Sequence, residues 1–193
     1  MMSKITIKRE TNETTIELSL TLLGEGNSKI QTGIGFFDHM LELFAFHAQF
    51  DIVIEAEGDT RVDDHHTIED VGIVLGSAFH QALNNLKERG RYGVAYVPMD
   101  ESLARTVIDL SNRSSLVFRA SFERERIGMM DTQNVKEFLT AFVREARMNL
   151  HTEVLYGEND HHKIEAIFKS LGRSLKQAIR DENISALSTK GIL

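Results

Sequence analysis

The sequence predicts an α+β protein made of two duplicated halves, each a small, mostly antiparallel sheet with two helices on one face. The first observation behind this prediction is an internal repeat. Residues 64–83 (DHHTIEDVGIVLGSAFHQAL) align without a gap with residues 160–179 (DHHKIEAIFKSLGRSLKQAI) at a constant offset of 96, and nine of the twenty positions are identical. Such self-similarity indicates a duplicated unit. Helical periodicity in four stretches and strand-like runs between them are the other two observations.

Each copy of the repeat has the pattern of an amphipathic helix. In the second copy, apolar residues recur at spacings of three and four, as one buried helix face requires; they are Ile164, Ile167, Phe168, Leu171, Leu175 and Ile179. The stretches Phe37–Ala48 and Val135–Asn149, upstream of the two copies, are also amphipathic. Each half is therefore predicted to contain two helices.

Alternating or β-branched runs outside these helices predict strands. The runs are Ser3–Arg9, Thr14–Leu22, Asp51–Glu57, Thr106–Asp109 and Leu116–Phe122. Gly24–Asn27 is a turn signal and predicts a hairpin. We place the boundary between the halves near residue 90, so that residues 1–90 and 91–193 are two half-repeats of one compact catalytic unit.

Composition excludes several classes of protein. With 193 residues and 41% hydrophobic content, the chain can bury a substantial core. A net charge of −7 argues against a general nucleic-acid or membrane-surface binder, although a small anionic substrate remains possible. No apolar run reaches the ~20 residues of a membrane span, and the first residues lack the apolar core of a signal peptide. The absence of cysteine leaves imidazole and carboxylate as metal ligands and fits a cytoplasmic location.

The polar first turn of the repeat predicts a metal site. If Asp64 caps the first helix, His65 and His66 lie in its first turn and Glu69 lies one turn later. His65 and Glu69, at i and i+4, share a helix face and can chelate one ion. His66 is rotated by about 100° and is better placed for a different ion, although it could also reach Glu69 at i+3.

The same geometry applies to His161, His162 and Glu165 in the second copy. Two equivalent clusters indicate two metal sites, with each histidine pair bridging between them. One histidine and one glutamate leave most of a six-coordinate shell empty, and His39 and His151 are the best further candidates. Imidazole with carboxylate suits Mn, Fe, Ni or Zn, and an octahedral shell with an oxygen-bearing substrate favours manganese.

Two other functions are compatible with metal binding. A phosphate-ester hydrolase with two metals is the nearest enzymatic alternative, but such sites are rich in bridging aspartates, whereas histidines dominate here. A metal-storage shell is the non-enzymatic alternative, but it requires four long helices carrying Glu-x-x-His, whereas strands separate the shorter helices of this chain.

Together, several motifs resemble the imidazoleglycerol-phosphate dehydratase family over essentially the whole chain. They are Phe37-Asp-His-Met-Leu41, Asp63-Asp-His-His-Thr-Ile-Glu-Asp70, Arg91-Tyr-Gly93, Pro98-Met-Asp-Glu101, Asp109-Leu-Ser-Asn-Arg113, Asp131-Thr-Gln133, His161-His-Lys-Ile-Glu-Ala-Ile-Phe-Lys169 and Ser188-Thr-Lys-Gly-Ile-Leu193. The resemblance implies a fold similar to the second domain of ribosomal protein S5. It also implies a homo-oligomeric shell of 24 subunits, with two manganese ions in each active site and sites formed between subunits.

The family reaction removes water from imidazole glycerol phosphate, a small phosphorylated imidazole, in histidine biosynthesis. Carried over by position, the resemblance implies a metal-ligand set of His39, His65, His66, Glu69, His151, His161, His162 and Glu165. It points to phosphate binding by Arg91, Arg113, Lys169, Ser188 and Lys190. As a hypothesis, Glu13 or one of the ligand glutamates, Glu69 or Glu165, serves as the catalytic acid or base.

Overall fold

The computed structural model describes residues 4–86 and 89–180 of the chain. The first half contains β1 (Ile5–Glu10), β2 (Thr14–Thr21), β3 (Ser28–Gln31), α1 (Gly35–Ala48), β4 (Asp51–Gly58) and α2 (His65–Asn84). The second half contains β5 (Tyr92–Met99), β6 (Ser102–Asp109), β7 (Ser115–Arg119), β8 (Arg126–Ile127), β9 (Met130–Asp131), α3 (Asn134–Ala146), β10 (Asn149–Tyr156) and α4 (Asp160–Arg180). None of the described helices is long and apolar enough to cross a membrane.

The two halves have the same topology, which confirms the predicted α+β duplication. The first sheet has the order β1-β2-β4-β3, and the second has the order β5-β6-β10-β7. In both, the third strand of the half pairs in parallel with the last strand, and the other pairings are antiparallel. The short β8–β9 hairpin has no counterpart among the described elements of the first half. The domain boundary near residue 90 stays a prediction, because one continuous core joins the halves.

Helices of one half pack on helices of the other, α2 on α3 and α1 on α4. Two glycines at equivalent positions of the repeat allow these close crossings. A Cβ at Gly76 would lie 2.6 Å from the carbonyl oxygen of Phe142, and a Cβ at Gly172 would lie 2.8 Å from that of Phe44. The two copies of the repeat therefore share a glycine that allows close helix packing, in addition to the polar first turn. Buried phenylalanines from both halves fill the core between the sheets.

The structure corrects the hairpin predicted at Gly24–Asn27. The turn connects β2 to β3, but these strands are not neighbours, because β4 lies between them. The turn is instead held by Asp51, whose Oδ1 accepts hydrogen bonds from the N–H groups of Glu25 and Asn27. A turn signal marks a reversal of the chain but not which strands pair afterwards.

Other boundaries also differ from the prediction. The helix predicted over Val135–Asn149 ends at Ala146, because Arg147 adopts a left-handed conformation (φ 53°) and Asn149 begins β10. The strands β3, β5, β8, β9 and β10 did not show in the sequence pattern. β5 carries Tyr92, Val94 and Tyr96 on its exposed face, so it lacks the polar alternation of a half-buried strand. Its proline, Pro98, is tolerated because β5 is an edge strand.

Candidate metal centre

The first turns of α2 and α4 present the same histidine–glutamate pair. His65 Nε2 lies 3.7 Å from Glu69 Oε2, and His161 Nε2 lies 3.2 Å from Glu165 Oε2. In each repeat the second histidine ring is turned away from the first, by 77° in α2 and by 80° in α4. The first histidine therefore shares a face with the glutamate, and the second points elsewhere.

His39 of α1 joins the pair of α4. Ligand atoms of His39, His161 and Glu165 all lie within 4.8 Å of one another. Burial acts to raise the pKa of the Glu165 carboxyl, but the hydrogen bond and charge of Lys169, 2.5 Å away, outweigh it and lower that pKa. Two imidazoles and an ionised carboxylate form a donor set that suits a divalent transition metal. Within residues 4–86 and 89–180, this is the one group of three such donors close enough to share an ion.

The second histidine of each repeat is held by a carboxylate that sequence reasoning missed. His66 Nδ1 lies 3.1 Å from both carboxylate oxygens of Asp59, and His162 Nδ1 lies 2.7 Å from Glu101 Oε2. A carboxylate on Nδ1 favours the tautomer that carries its proton there, which leaves Nε2 free to bind a metal. This pairing is typical of metal-binding histidines. The two carboxylates come from different parts of the two halves, so the repeat gives no signal for them.

These contacts shift proton affinities. The hydrogen bond that His66 donates to Asp59 raises the pKa of His66, and the one that His162 donates to Glu101 raises the pKa of His162. Conversely, hydrogen bonds from the Asn159 N–H and from His162 hold the pKa of Glu101 far below its ordinary value. The Glu101 carboxylate therefore stays ionised as a hydrogen-bond acceptor at every physiological pH.

A buried asparagine contacts His65, the first histidine of the α2 repeat. Asn134, which is 1% exposed, places Oδ1 3.2 Å from His65 Nδ1. The amide oxygen accepts a hydrogen bond from Nδ1–H, so the same tautomer is favoured. Asn134 begins α3, and the packing of α3 on α2 brings it there. No pattern in the sequence predicts this contact between the halves.

Asp64 occupies the N-cap position of α2 as predicted, but its side chain makes no capping hydrogen bond. Its Oδ2 accepts the N–H of Asp131, and the N–H of His65 is bound by Asp63 instead. In the second repeat, Asp160 accepts the N–H groups of Glu123 and Arg124. Both motif aspartates therefore fix segment 123–131, which contains the β8–β9 hairpin, against the first turns of α2 and α4.

His151 lies apart from the other candidate ligands of the same chain. On β10, Leu150 and Thr152 are buried while His151 is exposed, and Thr106 hydrogen bonds to both Thr152 and Ser170 of α4. Because strand neighbours point to opposite faces, His151 faces away from α4. It lines a cavity of about 520 Å³ on the outer face of the second sheet.

Glu13 lies beside His66 of the first half. Its Oε1 is 3.8 Å from His66 Nε2, in the loop between β1 and β2. Thr11 Oγ1 accepts the Glu13 N–H, and Thr14 Oγ1 donates to Asp70 of α2 at 2.5 Å. The loop is therefore tied to the helix that carries the histidines.

The predicted phosphate-binding residues are dispersed. Arg91 forms a paired hydrogen bond with Asp109, with a shortest distance of 2.6 Å, and Arg113 is exposed in the turn between β6 and β7. Lys169 contacts Glu165 and so lies at the second cluster. Ser188 and Lys190 fall outside the described residues. Of the three that the structure describes, one chain thus brings only Lys169 to the candidate ligands.

Comparison with known proteins gives a consistent result. The family model described as imidazoleglycerol-phosphate dehydratase matches residues 32–175. The chain is 53% identical over 195 residues to imidazoleglycerol-phosphate dehydratase of Geobacillus kaustophilus, covering 100% of both sequences, and 51% identical over 187 residues to that of Clostridioides difficile, covering 97% of both.

Solved structures agree with the sequence relatives. The crystal structure of the dehydratase from Staphylococcus aureus matches with a TM-score of 0.84 and 42% identity, covering 92% of this chain and 98% of that one. The structure from Pyrococcus furiosus matches with a TM-score of 0.82 and 35% identity, covering 97% and 100%. The chain therefore belongs to the imidazoleglycerol-phosphate dehydratase family, the hydro-lyases that remove water from imidazole glycerol phosphate in histidine biosynthesis.

Proposed function

We propose that the chain performs this dehydration with two manganese ions in each active site, and that the sites form between copies in a 24-subunit homo-oligomer in the cytoplasm. The observation that carries the two-ion proposal is the repeated first turn. In each repeat the first histidine faces a glutamate one turn away, whereas the second is turned aside and held through Nδ1 by a carboxylate. Two rings directed apart cannot both serve one ion.

The donor set supports a hard, octahedral metal. Among the proposed ligands, His39, His65, His66, His151, His161 and His162 provide imidazole nitrogen, and Glu69 and Glu165 provide carboxylate oxygen. Shared between two ions, they give three histidines and one glutamate each, which leaves positions for substrate and water. Bound metal would supply Lewis acidity toward the imidazole ring nitrogens and so assist loss of the hydroxyl group.

The departing proton sits on a carbon without an adjacent carbonyl, so a positioned carboxylate is needed to move it. We assign this role to Glu13, because its side chain is 54% exposed and lies 3.8 Å from His66 without a closer ion partner among the described residues. Glu69 and Glu165 are alternatives, but as ligands their lone pairs are already engaged. Replacing Glu13 with glutamine keeps the shape and removes the base.

A site between copies would explain the position of His151. Its ring faces away from α4, so it would complete a metal shell contributed by another copy of the chain. Arg91 and Arg113, on the same half as His151, would then meet the substrate phosphate together with Lys169, Ser188 and Lys190. Arginine suits two-point phosphate binding, and lysine suits a point contact.

The test is a turnover assay with imidazole glycerol phosphate on chelator-treated protein, with and without added manganese. We expect the ketone product, imidazole acetol phosphate, only after manganese is restored. Glu13→Gln should abolish turnover while manganese binding is retained, whereas Glu10→Gln, an exposed acid in the same region, should not. Unchanged turnover of Glu13→Gln would remove Glu13 from the role. Native mass measurement of the metal-loaded protein would test the 24-subunit assembly.

A further inference from the structure

The C-terminal part of α4 forms a cationic pocket whose lining includes none of the proposed site residues. This pocket, of about 470 Å³, lies between the end of α1, the edge strand β5 and α4. Arg173, Lys176 and Arg180 contribute three positive charges, His47 adds an imidazole, and no carboxylate among the described residues lines the pocket. A concave site lined by one sign of charge focuses the field and attracts counter-ions.

The positive charge here runs against the charge of the whole chain, which is −7. Within residues 4–86 and 89–180, none of Arg173, Lys176 and Arg180 forms an ion pair. The dipole of α4 favours cations only in its last turn, which accounts for Arg180 but not for Arg173. Within the described part of the chain, three cations therefore share one recess without a carboxylate partner.

Hydrogen-bond donors surround the recess. Gln177 Oε1 accepts the N–H of Val94 at 2.8 Å, which fixes the amide and leaves its NH₂ group as a donor. Burial lowers the pKa of His47, and the charges of Lys169 and Arg173 act in the same direction, whereas the charge of Glu165 opposes them. Tyr96 forms part of the wall. Guanidinium, ammonium and amide donors together match the oxygens of a phosphate group.

The pocket is separate from the candidate metal centre. Along a helix that rises 1.5 Å per residue, Arg173 lies about 12 Å and Lys176 about 16 Å from Glu165. None of the residues that line the pocket is a candidate metal ligand, and the pocket begins about two helical turns beyond Glu165. We propose that the pocket is a second anion site, which binds a small phosphate-bearing anion independently of the metals.

The test counts phosphate on manganese-loaded protein by equilibrium dialysis with radiolabelled inorganic phosphate at low ionic strength. Arg173→Gln combined with Lys176→Gln should weaken one class of bound phosphate at least tenfold. The control combines Lys8→Gln with Lys136→Gln, two exposed lysines outside the pocket, and changes the net charge by the same amount. It should alter phosphate binding less than twofold. Thermal unfolding would verify that both double variants are folded.

Two results would overturn the site: phosphate binding within twofold of the unchanged chain in the pocket variant, or an equal loss in the control. Displacement of the label by glycerol 3-phosphate identifies the preferred source. If glycerol 3-phosphate displaces the label at a lower concentration than unlabelled phosphate does, the site prefers a phosphomonoester. If it requires a higher concentration, the site prefers free phosphate. Both results support the site. Because bound phosphate is counted and product is not, failure of this proposal is distinguishable from failure of the dehydration proposal.

Discussion

Replacing Glu101 by glutamine tests how a carboxylate orients His162, a histidine that we propose to bind metal. The two oxygens of Glu101 have separate tasks. Oε2 accepts a hydrogen bond from His162 Nδ1 at 2.7 Å, and Oε1 accepts one from the Asn159 N–H at 2.8 Å. Glutamine has a single oxygen. If that oxygen continues to accept the Asn159 N–H, the NH₂ group faces His162 and requires a lone pair on Nδ1. The ring proton then moves to Nε2, the nitrogen proposed to bind metal.

Loss of such a hydrogen-bond partner reduces metal affinity or activity by about 10- to 100-fold. The Glu101 side chain is 40% exposed, so water replaces part of the lost interaction. We therefore expect the lower part of this range, about 10- to 30-fold weaker binding of one manganese ion. Asp59→Asn should have a similar effect in the first half, because Asp59 holds His66 in the same way.

The assay is titration of manganese into chelator-treated protein, with free ion followed by electron paramagnetic resonance and turnover measured at saturating metal. Glu25→Gln is the matched control, because Glu25 is an exposed acid in the turn after β2. Equal manganese affinity in Glu101→Gln and the unchanged chain would refute the tautomer argument. An equal loss in Glu25→Gln would indicate a general effect of charge instead.

Three other changes test the fold and the site. Gly76→Ala places a Cβ 2.6 Å from a carbonyl oxygen of α3. Overpacking costs about 1–3 kcal/mol and the helix gain is about 1 kcal/mol, so chemical denaturation should show a net loss of up to about 2 kcal/mol. Gly35→Ala, whose Cβ meets open space, should show none. Because Glu101 raises the pKa of His162 above 6.5, this pair stabilises the metal-free fold fully below pH 6.5. That contribution is lost as pH rises through the raised pKa, while manganese affinity rises over the same window. Titrations from pH 6 to 8 check this, and a flat affinity would contradict it. His39→Asn removes a donor whose side chain is 46% exposed, so metal analysis should show one ion lost per chain without loss of folding.

The sequence predicted the parts of the fold that depend on local pattern. The four helices followed from apolar spacing, and the duplication followed from the offset of 96 between the two copies. It did not predict which strands pair. The turn at Gly24–Asn27 was taken for a hairpin, although β4 separates the strands on either side. Strand pairing depends on contacts distant in sequence, and the exposed apolar residues of β5 removed the alternation that marks a strand.

The candidate site was predicted only in its repeated part. The two histidine–glutamate pairs are local, because i and i+4 positions share a helix face. The carboxylates that accept hydrogen bonds from the second histidines do not occupy equivalent positions in the two halves. Asp59 lies seven residues before His66, whereas Glu101 lies 61 residues before His162. Since the halves use different segments for the same task, neither helical spacing nor the repeat could reveal these residues.

We propose that the duplicated first turn holds two metal ions for one reaction. The most direct measurement is turnover of imidazole glycerol phosphate as manganese is added stepwise to metal-free protein of known concentration. The two-ion site predicts that turnover rises until about two ions per chain are bound and then stops rising. Full turnover without added manganese, or a plateau at one ion per chain, would contradict it.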